Sequence, residues 1–509
     1  MDILASEFIL TIDIGTTNLK GILFDEDGNE VFRVARPNIT QYPEPFFAEQ
    51  EPQQWVENLV AIMKDVNQLC LEKLRLVRAI SLTGQMHGPV LFDNKSGKVL
   101  HPCLIWSDAR AVEEVRILQE IFDTDFFLCE MGNPLQQSFT LPKLLWIRRH
   151  RPEVFEERNL KFLFPKDYIG YILGGEITTD YSDASGSLFF SLRGKEWKKE
   201  ILRELGLSQD MLPEVIPSES IIGYVSGKAA TTFFLPAGVP IVKGGGDLAT
   251  TALATGAGIE GNLSLCVGTA GQLLLCADRI GEEVLGKLYV FLHCVPNKYF
   301  YLGTVPTGGA ALDWLFSTVA NDEKQNLWEK VSSFTDISPQ RVILFYPFLL
   351  GTGTPYFDYQ AKAAFLGLQM NHRVEDMVMA VLEGVAFALK ESFGRVPAVS
   401  ERVQQIILSG GLARFPIFSR IVSNVFNLPV AISRYADTAS MGAFLLAAKA
   451  LGIVRDYGDS VAGLGSSIFP EHPYVRHYRK VYGLYRSFLN VVLSFASESN
   501  RIQGGEEES

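Results

Sequence analysis

The sequence predicts an α/β fold built from two copies of a similar domain. Short apolar runs that end in glycine alternate with segments of helical spacing, as in sheets covered by helices. Residues 8–25 have the pattern of a strand, a tight turn and a second strand, and residues 262–278 repeat it half a chain later. A repeated opening hairpin indicates a duplicated fold, although two unrelated hairpins would also fit so short a match.

Further elements follow from the apolar periodicity. Strands are predicted over residues 77–83, 239–243 and 404–409, because each is a short apolar run followed by glycine. Helices are predicted over residues 376–391 and 417–426, where apolar residues recur every three or four positions.

The domain boundary is placed near residue 255, after a glycine-rich segment and before the second hairpin. This gives an N-terminal domain of residues 1–255 and a C-terminal domain of residues 256–495. Residues 496–509 are polar and acidic, and they are predicted to form a disordered tail.

Composition excludes several classes of partner. The chain has 509 residues, 47% apolar and 20% charged, which is ordinary for a globular protein. Its net charge of −12 argues against nucleic acid or an anionic membrane as a partner. No apolar run is long enough to span a membrane. The six cysteines form no CxxC pair and are interpreted as reduced thiols of a cytoplasmic protein.

The first hairpin carries a candidate phosphate and metal site. Gly15 lets backbone N–H groups approach an anion closely, and Thr16 and Thr17 add hydroxyl donors. Asp13 ends the strand, where its carboxylate could hold Mg²⁺ against phosphates, directly or through water. The second hairpin has Cys266 at the matching position, so we expect one catalytic site rather than two. The alternative is a plain β-turn.

A glycine-flanked loop after the strand at residues 77–83 is a candidate sugar site. Gln85 and His87 can hydrogen-bond hydroxyl groups, and Met86 can cover a carbon face. A lone histidine is more often structural, but ligand sites of α/β folds lie at the carboxyl ends of strands.

A second candidate for sugar binding follows at residues 106–110. Trp106 offers a stacking surface and Asp108 a hydrogen-bonding carboxylate. The alternative is an ion pair between Asp108 and Arg110 beneath a surface tryptophan.

The segment Gly-Gly-Gly-Asp at residues 244–247 carries the candidate catalytic base. Three adjacent glycines are interpreted as allowing the main chain to approach a ligand, not as serving the core. Asp247 would accept the proton of an attacking hydroxyl group and contact the sugar. The alternative is an aspartate that caps the next helix.

Two strand-to-helix glycine turns in the second half, at residues 307–310 and 409–414, suit adenosine or phosphate. No GxxxxGK[ST] motif occurs, which excludes a P-loop enzyme, and no GxGxxG motif follows the first strand, which disfavours a Rossmann dehydrogenase.

Taken in this order, these segments resemble the FGGY family of carbohydrate kinases, from about residue 8 to about residue 490. The most specific stretch is AAFLGLQMNHRVEDMVMAVLEG at residues 363–384, and GQMHG at 84–88 and FPKDY at 164–168 look most like the family's xylulokinases. The resemblance implies two actin-like (ribonuclease H-like) α/β domains with the catalytic cleft between them, and ATP and Mg²⁺ as cofactors.

The resemblance also implies roles for individual residues. Asp247 would be the catalytic base, Met86 and His87 sugar contacts, and Asp13 the metal ligand. The residues implied around the nucleotide are Gly268, Thr269, Gly309, Gly410, Gly411 and Arg414.

Three departures leave the identity of the sugar open. Leu248 stands where xylulokinases usually have an amide residue, residues 350–355 lack the usual Glu-Arg pair, and the second turn reads Gly-Thr-Ala-Gly. The sequence therefore predicts an ATP-dependent ketose kinase. D-Xylulose, giving D-xylulose 5-phosphate, is the first candidate, with sedoheptulose, ribulose, L-xylulose or gluconate as alternatives.

Two functions of other classes compete with a sugar kinase. An actin- or chaperone-like ATPase would need no hydroxyl-activating base, and a non-catalytic sugar sensor would not need both Asp13 and Asp247. We expect a small sugar and ATP as the partners, and a homodimer is left open.

Overall fold

The structure, a computed structural model, describes residues 7–257, 261–319, 328–331, 333–334, 336–338, 341–457 and 464–503. The chain forms two compact units. The first comprises Met1–Ala254, Val290–Phe300 and Asp437–Val461, and the second comprises Thr255–Tyr289, Tyr301–Ala436 and Ala462–Ser509. The first unit therefore includes two segments from the second half of the chain.

The strands and helices are numbered in chain order. The strands are β1 (Phe8–Ile14), β2 (Asn18–Asp25), β3 (Glu30–Pro37), β4 (Glu49–Gln50), β5 (Val77–Gly84), β6 (Val90–Asp93), β7 (Cys103–Leu104), β8 (Leu160–Leu163), β9 (Thr178–Asp180), β10 (Phe190–Ser191), β11 (Glu196–Trp197), β12 (Glu214–Ile216), β13 (Ile221–Tyr224), β14 (Pro240–Gly246), β15 (Asn262–Val267), β16 (Gly271–Ala277), β17 (Tyr289–Leu292), β18 (Tyr299–Val305), β19 (Leu344–Tyr346), β20 (Ala364–Leu366), β21 (Gln405–Ser409), β22 (Val430–Ser433) and β23 (Leu464–Ile468). The helices are α1 (Pro52–Leu69), α2 (Leu71–Leu74), α3 (Val112–Ile121), α4 (Thr124–Met131), α5 (Thr140–His150), α6 (Pro165–Leu173), α7 (Tyr181–Ser185), α8 (Lys199–Glu204), α9 (Gly227–Phe233), α10 (Asp247–Ala254), α11 (Gly309–Val319), α12 (Val374–Phe393), α13 (Pro397–Ser400), α14 (Pro416–Phe426), α15 (Thr438–Ala450) and α16 (His472–Gln503).

The first unit is built on a six-stranded mixed sheet. Its strand order is β13-β14-β5-β1-β2-β3. Strands β1, β5 and β14 are parallel, and the outer pairs β1–β2, β2–β3 and β13–β14 are antiparallel. Every residue of β1 is buried, as expected for a central strand covered on both faces.

The second unit repeats this topology. Within it, strands β18, β16, β15, β21, β22 and β23 lie side by side in that order. The hairpin β15–β16 is antiparallel, β15 and β21 are parallel, and β22–β23 is antiparallel. β15, β16, β21 and β22 thus take the places of β1, β2, β5 and β14. The duplication inferred from the two hairpins is confirmed, together with the α/β class.

The five elements predicted singly are confirmed to within a few residues. β5, β14 and β21 lie at the predicted strand segments, and α12 and α14 contain the two predicted helices. In the part of the chain that the structure describes, no helix is both long enough and apolar enough to cross a membrane.

The C-terminal segment differs from the expected tail. Residues 496–503 are the last turns of α16, and residues 504–509 lie outside the described residues. Leu489, Val492 and Ala496 are buried and share one helix face, so apolar spacing continues into the segment predicted to be disordered.

The three glycines at residues 244–246 have a packing role, so the interpretation that they do not serve the core is wrong. They are buried residues of β14 itself. Gly244 has φ +70°, and a Cβ there would lie 1.6 Å from the carbonyl oxygen of Leu82 on β5. A Cβ on Gly246 would lie 2.8 Å from Met86 Cγ. The glycines let β14 and the loop after β5 approach each other more closely than side chains would allow.

Replacing Gly244 by alanine should destabilise the first unit. We expect a loss of about 2–4 kcal/mol in the free energy of unfolding. Alanine would have to adopt a left-handed backbone conformation, and its Cβ would clash with the backbone of Leu82. Gly97→Ala is the matched control, since Gly97 has φ +74° with no atom within 4 Å of an added Cβ. Denaturant unfolding of both variants measures the difference. Equal destabilisation would show that backbone conformation alone, and not the close approach, requires glycine at 244.

Candidate active site

An ion bridge joins the first hairpin to the N-terminus of α15. Lys20 lies directly opposite Asp13 in the β1–β2 register. Its Nζ is 3.0 Å from Asp13 Oδ2 and 2.7 Å from Asp437 Oδ2. Asp437 caps α15 by accepting a hydrogen bond from the Ser440 N–H, and its other partner is Arg33 at 3.5 Å. All these residues belong to the first unit.

The Asp13 carboxyl group is suited to a metal ion. Its Oδ1 is buried and receives no hydrogen bond from the described residues. Burial raises the pKa of Asp13 to about 6 against the opposing effect of Lys20, so removal from water outweighs one ion pair. No cluster of three or more metal-ligating side chains occurs among the described residues. A Mg²⁺ ion held by one carboxylate, water and phosphate fits this donor set.

The turn after β1 is held by its carbonyl groups. The Gly15 oxygen accepts from the Asn38 side chain, the Thr16 oxygen from the Gln50 side chain, and the Thr17 oxygen from the Asn38 N–H. With its carbonyl oxygens bound to the protein scaffold, the turn is rigid. Thr16 is partly buried and Thr17 is exposed.

Asp247 lies at the junction of β14 and α10. It is the first residue of α10, and its Oδ1 accepts a hydrogen bond from the Leu248 N–H at 2.8 Å. Burial raises the pKa of Asp247 to about 7, and the negative charge of Asp13 raises it further. A carboxylate with a pKa near neutrality can accept a proton efficiently at physiological pH. The local N–H bond also fits the helix-capping alternative, and the two roles are compatible.

Met86 packs directly beside this junction. Its Cγ and Sδ lie 2.8 and 3.0 Å from the position of a Cβ on Gly246, and the side chain is buried. The structure thus brings together Met86 and the candidate base Asp247, which the sequence places about 160 residues apart.

His87 is held in a single orientation. Its φ is +69°, and its Nδ1 lies 2.7 Å from the Gly186 carbonyl oxygen. Because a carbonyl can only accept, Nδ1 carries the proton and Nε2 is left as an acceptor. Burial, followed by the charge of Lys143, lowers the pKa of His87 to about 3, so the ring is neutral. The rings of Phe139 and Phe291 pack at 4.8 and 5.9 Å.

Gln85, Thr16 and Trp106 form one hydrogen-bond chain. The Trp106 indole N–H donates to Thr16 Oγ1 at 2.9 Å, and that hydroxyl donates to Gln85 Oε1 at 3.3 Å. The Gln85 amide donates in turn to Gln50 Oε1 at 3.0 Å. Trp106 is half exposed, whereas Gln85 is buried. Residues assigned from sequence to the nucleotide and to the sugar therefore touch each other, and Gln85 acts within the protein.

Asp108 forms an ion pair with Arg110, which is the alternative that the sequence left open. Arg110 binds both of its oxygens, at 2.8–3.1 Å, and the Ala48 N–H donates to Oδ2 at 2.6 Å. Arg110 also contacts Glu49 and stacks on Phe47. With its oxygens bound to these donors and 1% exposed, Asp108 has a structural role, and it is corrected from a sugar contact.

Behind the candidate base lies a fully buried charge network. Lys166 Nζ contacts Asp167, Asp180 and Asp183, and Lys243 Nζ contacts Asp167 at 2.8 Å. Burial opposes the charge on Lys166, but the three carboxylates outweigh it and raise its pKa.

The network reaches the peptide that precedes Asp247. The Gly246 N–H donates to Ser182 Oγ at 2.9 Å, and the Ser182 hydroxyl donates to Asp180. The FPKDY segment is therefore connected, through Lys166, Asp180 and Ser182, to the loop that carries the candidate base.

In the second unit, three of the segments proposed for the nucleotide converge. The N–H of Gly309 donates to the Gly268 carbonyl at 2.7 Å. The N–H groups of Gly308 and Ala310 both donate to the carbonyl oxygen of Thr269. A Cβ on Gly309 would lie 2.8 Å from the Gly268 oxygen. The first amides of α11 are therefore used inside the protein. Gly309 has no amide left for a phosphate, and its role is to permit close packing.

The turn after β21 lies against the same strand. Gly410 has φ +88°, and a Cβ there would lie 2.6 Å from the Val267 carbonyl carbon. A Cβ on Gly268 or Gly411 would meet nothing within 4 Å, so both glycines face open space. Thr269 and Arg414 are exposed. These four positions, Gly268, Thr269, Gly411 and Arg414, are accessible to a nucleotide.

Sequence reasoning missed two residues of the ion bridge. Lys20 could have been found, since a four-residue loop between the paired residues Ile14 and Leu19 places Lys20 opposite Asp13. Asp437 could not, because only the fold brings a helix cap 424 positions later to the first hairpin.

Comparison with known proteins identifies the family of this chain. Residues 8–254 match the model of the N-terminal domain of the FGGY family of carbohydrate kinases, and residues 264–451 match its C-terminal domain. A xylulose kinase from Staphylococcus epidermidis is 30% identical over 450 residues, covering 88% of this chain and 89% of the relative. A gluconokinase from Bacillus subtilis is 27% identical over 480 residues, covering 92% of both chains.

A solved structure gives the same result for the fold. The crystal structure of xylulose kinase from Rhodospirillum rubrum superposes with a TM-score of 0.88 at 26% identity, covering 96% of this chain and all of that one. Both family models, a relative at 30% identity and a shared two-domain α/β fold point to one assignment. The chain belongs to the FGGY family of carbohydrate kinases and is an ATP-dependent sugar kinase.

Proposed function

We propose that the protein phosphorylates D-xylulose to D-xylulose 5-phosphate, with Asp247 as the general base. The observation that carries the proposal is the position of Asp247 next to Met86 and electrostatically coupled to Asp13, with its pKa raised to about 7. The xylulose kinases among its relatives support the substrate.

In the proposed mechanism, Asp247 accepts the proton of a terminal hydroxyl of the sugar as that oxygen attacks the γ-phosphorus of ATP. The phosphorus–oxygen bond to ADP breaks and ADP carries the bonding electrons away. Burial, and after it the negative charge of Asp13, raises the pKa of Asp247 to about 7, which favours proton acceptance near neutral pH.

Asp13 is proposed to hold Mg²⁺, directly or through water, and the ion would neutralise charge on the transferring phosphoryl group. Lys20 bridges Asp13 and Asp437 and fixes the direction of the Asp13 carboxylate. Thr16 and Thr17 are proposed to face phosphate from the first unit. Gly268, Thr269, Gly411 and Arg414 are proposed to face the nucleotide from the second.

The charge of the sugar candidates favours a neutral ketose over gluconate. Met86 and Trp106 are uncharged, and His87 is a neutral ring whose Nε2 can accept a hydroxyl hydrogen. None of these side chains offers a positive charge to a carboxylate, and Asp247 and Asp13 would repel one. Gluconate remains the second candidate because of the gluconokinase among the relatives.

A coupled ADP-release assay across D-xylulose, L-xylulose, D-ribulose, sedoheptulose and D-gluconate tests the substrate. We expect kcat/KM to be highest for D-xylulose and at least about 100-fold lower for D-gluconate, since an unpaired carboxylate in this site would cost several kcal/mol. ADP release without any sugar serves as the blank. A higher kcat/KM for another sugar in the panel would replace the proposed substrate but leave the kinase chemistry intact.

Replacing Asp247 by asparagine keeps the side-chain shape and removes the proton acceptor. Turnover should fall by about 10²–10⁴, because general-base catalysis contributes that much, while ATP affinity changes little. Steady-state kinetics and nucleotide titration measure the two effects. An Asn variant that keeps more than about a tenth of wild-type turnover would rule out Asp247 as the base.

The same residue sets the expected pH dependence. A base must be deprotonated to act, so wild-type kcat/KM for the sugar should fall as the pH drops through about 7. The residual activity of Asp247→Asn should lack this limb. If the limb persists in the Asn variant, the titrating group is another one, with Asp13 the first to test.

His87→Ala should weaken sugar binding and leave ATP binding nearly unchanged. Loss of one hydrogen bond from Nε2 should raise the KM for the sugar about 3- to 10-fold. His150→Ala is the control, because its Nδ1 likewise contacts a carbonyl but on the exposed end of α5. Equal losses of sugar and nucleotide affinity in His87→Ala would remove it from the sugar site.

A further inference from the structure

Lys143 is a fully buried lysine of helix α5 that has no acidic side chain as a direct partner. Among the described residues, no carboxylate lies within ion-pair distance of its Nζ, whereas the buried Lys166 and Lys243 both contact Asp167. Lys143 is also the fourth residue of α5, close to the end at which the helix dipole disfavours a positive charge. A lysine at this position is therefore costly to the fold.

The side chain of Lys143 holds two loops by their carbonyl oxygens. Its Nζ donates to the Ile105 oxygen at 2.8 Å and to the Ser138 oxygen at 2.6 Å. A charged donor makes stronger hydrogen bonds to carbonyl groups than a neutral donor does. An ammonium group is therefore well suited to joining the two loops.

Each of these carbonyl groups belongs to the residue before an aromatic side chain at the candidate sugar site. Ile105 precedes Trp106, which is half exposed. Ser138 precedes Phe139, whose ring packs on the ring of His87 at 4.8 Å. One ammonium group thus connects the loop that carries Trp106 to the loop that packs against His87.

The second of these loops also holds the backbone of His87. Thr140 Oγ1 donates to the His87 carbonyl oxygen at 3.1 Å. His87 has φ +69°, a conformation that a residue other than glycine keeps only when its surroundings hold it there. Lys143 therefore supports His87 through residues 138–140, and after burial its charge is the next cause that lowers the pKa of the His87 ring.

We propose that Lys143 is a positioning residue for the sugar site, which fixes the loop of Trp106 relative to the loop that supports His87. The proposal rests on the proposed function, in which these two side chains face the sugar. A neutral side chain would join the loops at a lower cost to the fold, so the buried cation is better explained by the geometry that it maintains. A displacement of about 1 Å in a site of this kind can cost about 10²-fold in rate.

Steady-state kinetics of Lys143→Met test the proposal, with whichever sugar of the panel gives the highest kcat/KM. The KM for the sugar should rise about tenfold or more, while the KM for ATP changes less than about twofold. A merely structural role would reduce the amount of active enzyme, and hence kcat, without changing the sugar KM of the folded fraction. Lys161→Met is the matched control, because Lys161 Nζ also donates to a backbone carbonyl, that of Asp210, but at an exposed contact.

Thr140→Val is a second variant, which tests the same link if Lys143→Met does not fold. It removes only the hydroxyl that donates to the His87 carbonyl, so the sugar KM should rise about threefold with the KM for ATP unchanged. An unchanged sugar KM in Thr140→Val, or in folded Lys143→Met, would overturn the proposal. If His87→Ala leaves the sugar KM unchanged as well, the proposed sugar site is wrong, whereas a rise in His87→Ala alone removes only the role of Lys143.

The pH dependence of sugar binding separates the ammonium group from its neighbours. Burial lowers the pKa of Lys143 to about 7, and a neutral amine donates more weakly than an ammonium group. The wild-type sugar KM should therefore rise as the pH increases through about 7, on the opposite side of neutrality from the loss expected of a general base. Around Lys143, Asp108 is paired with Arg110, and burial keeps Cys103 and His87 neutral at this pH. The rise should be absent from Lys143→Met, and an identical rise in that variant would overturn the proposal.

Discussion

The ion bridge of Lys20 with Asp13 and Asp437 is the contact on which the candidate active site depends. It joins both strands of the first hairpin to a helix cap that comes from the far end of the chain. Lys20 and Arg33 face the two carboxylates, and Asp13 Oδ1 still receives no hydrogen bond from the described residues, which suits the divalent cation proposed there. Burial, and after it the negative charge of Asp13, raises the pKa of Asp247.

Buried charge also supports the loop on which Asp247 stands. Ion pairs in a protein interior contribute little net stability, because desolvation offsets their attraction, but removing one partner is costly. The network of Lys166, Lys243 and three aspartates is consequently better explained as fixing geometry than as stabilising the fold. It acts through the Ser182 contact to the Gly246 amide, one residue before the candidate base.

The two copies of the duplicated fold differ in the residues that they place at the hairpin. Both units keep an antiparallel hairpin followed by a parallel strand, and both turns have their carbonyl groups bound by the protein. In the first unit, Asp13 ends the hairpin strand beside Lys20. In the second, Cys266 occupies the matching place, and the turn is bound by the first amides of α11. One copy thus carries the candidate metal ligand and the candidate base, and the other has glycines that face open space.

The sequence by itself determined the class of fold, its duplication, the main strands and helices and the reaction class. These are set by local periodicity, by turn chemistry and by family motifs, all of which are contiguous in the chain. The tertiary structure decided which polar residues are free to act. Asp108 and Gln85 are bound within the protein, and the triple glycine serves strand packing, because partners such as Arg110, Gln50 and Leu82 meet them only in the folded chain. The position of Asp437 beside Lys20 and the raised pKa of Asp247 were likewise decided by the tertiary structure. Burial and proximity of charges are properties of the fold, and no local sequence pattern encodes them.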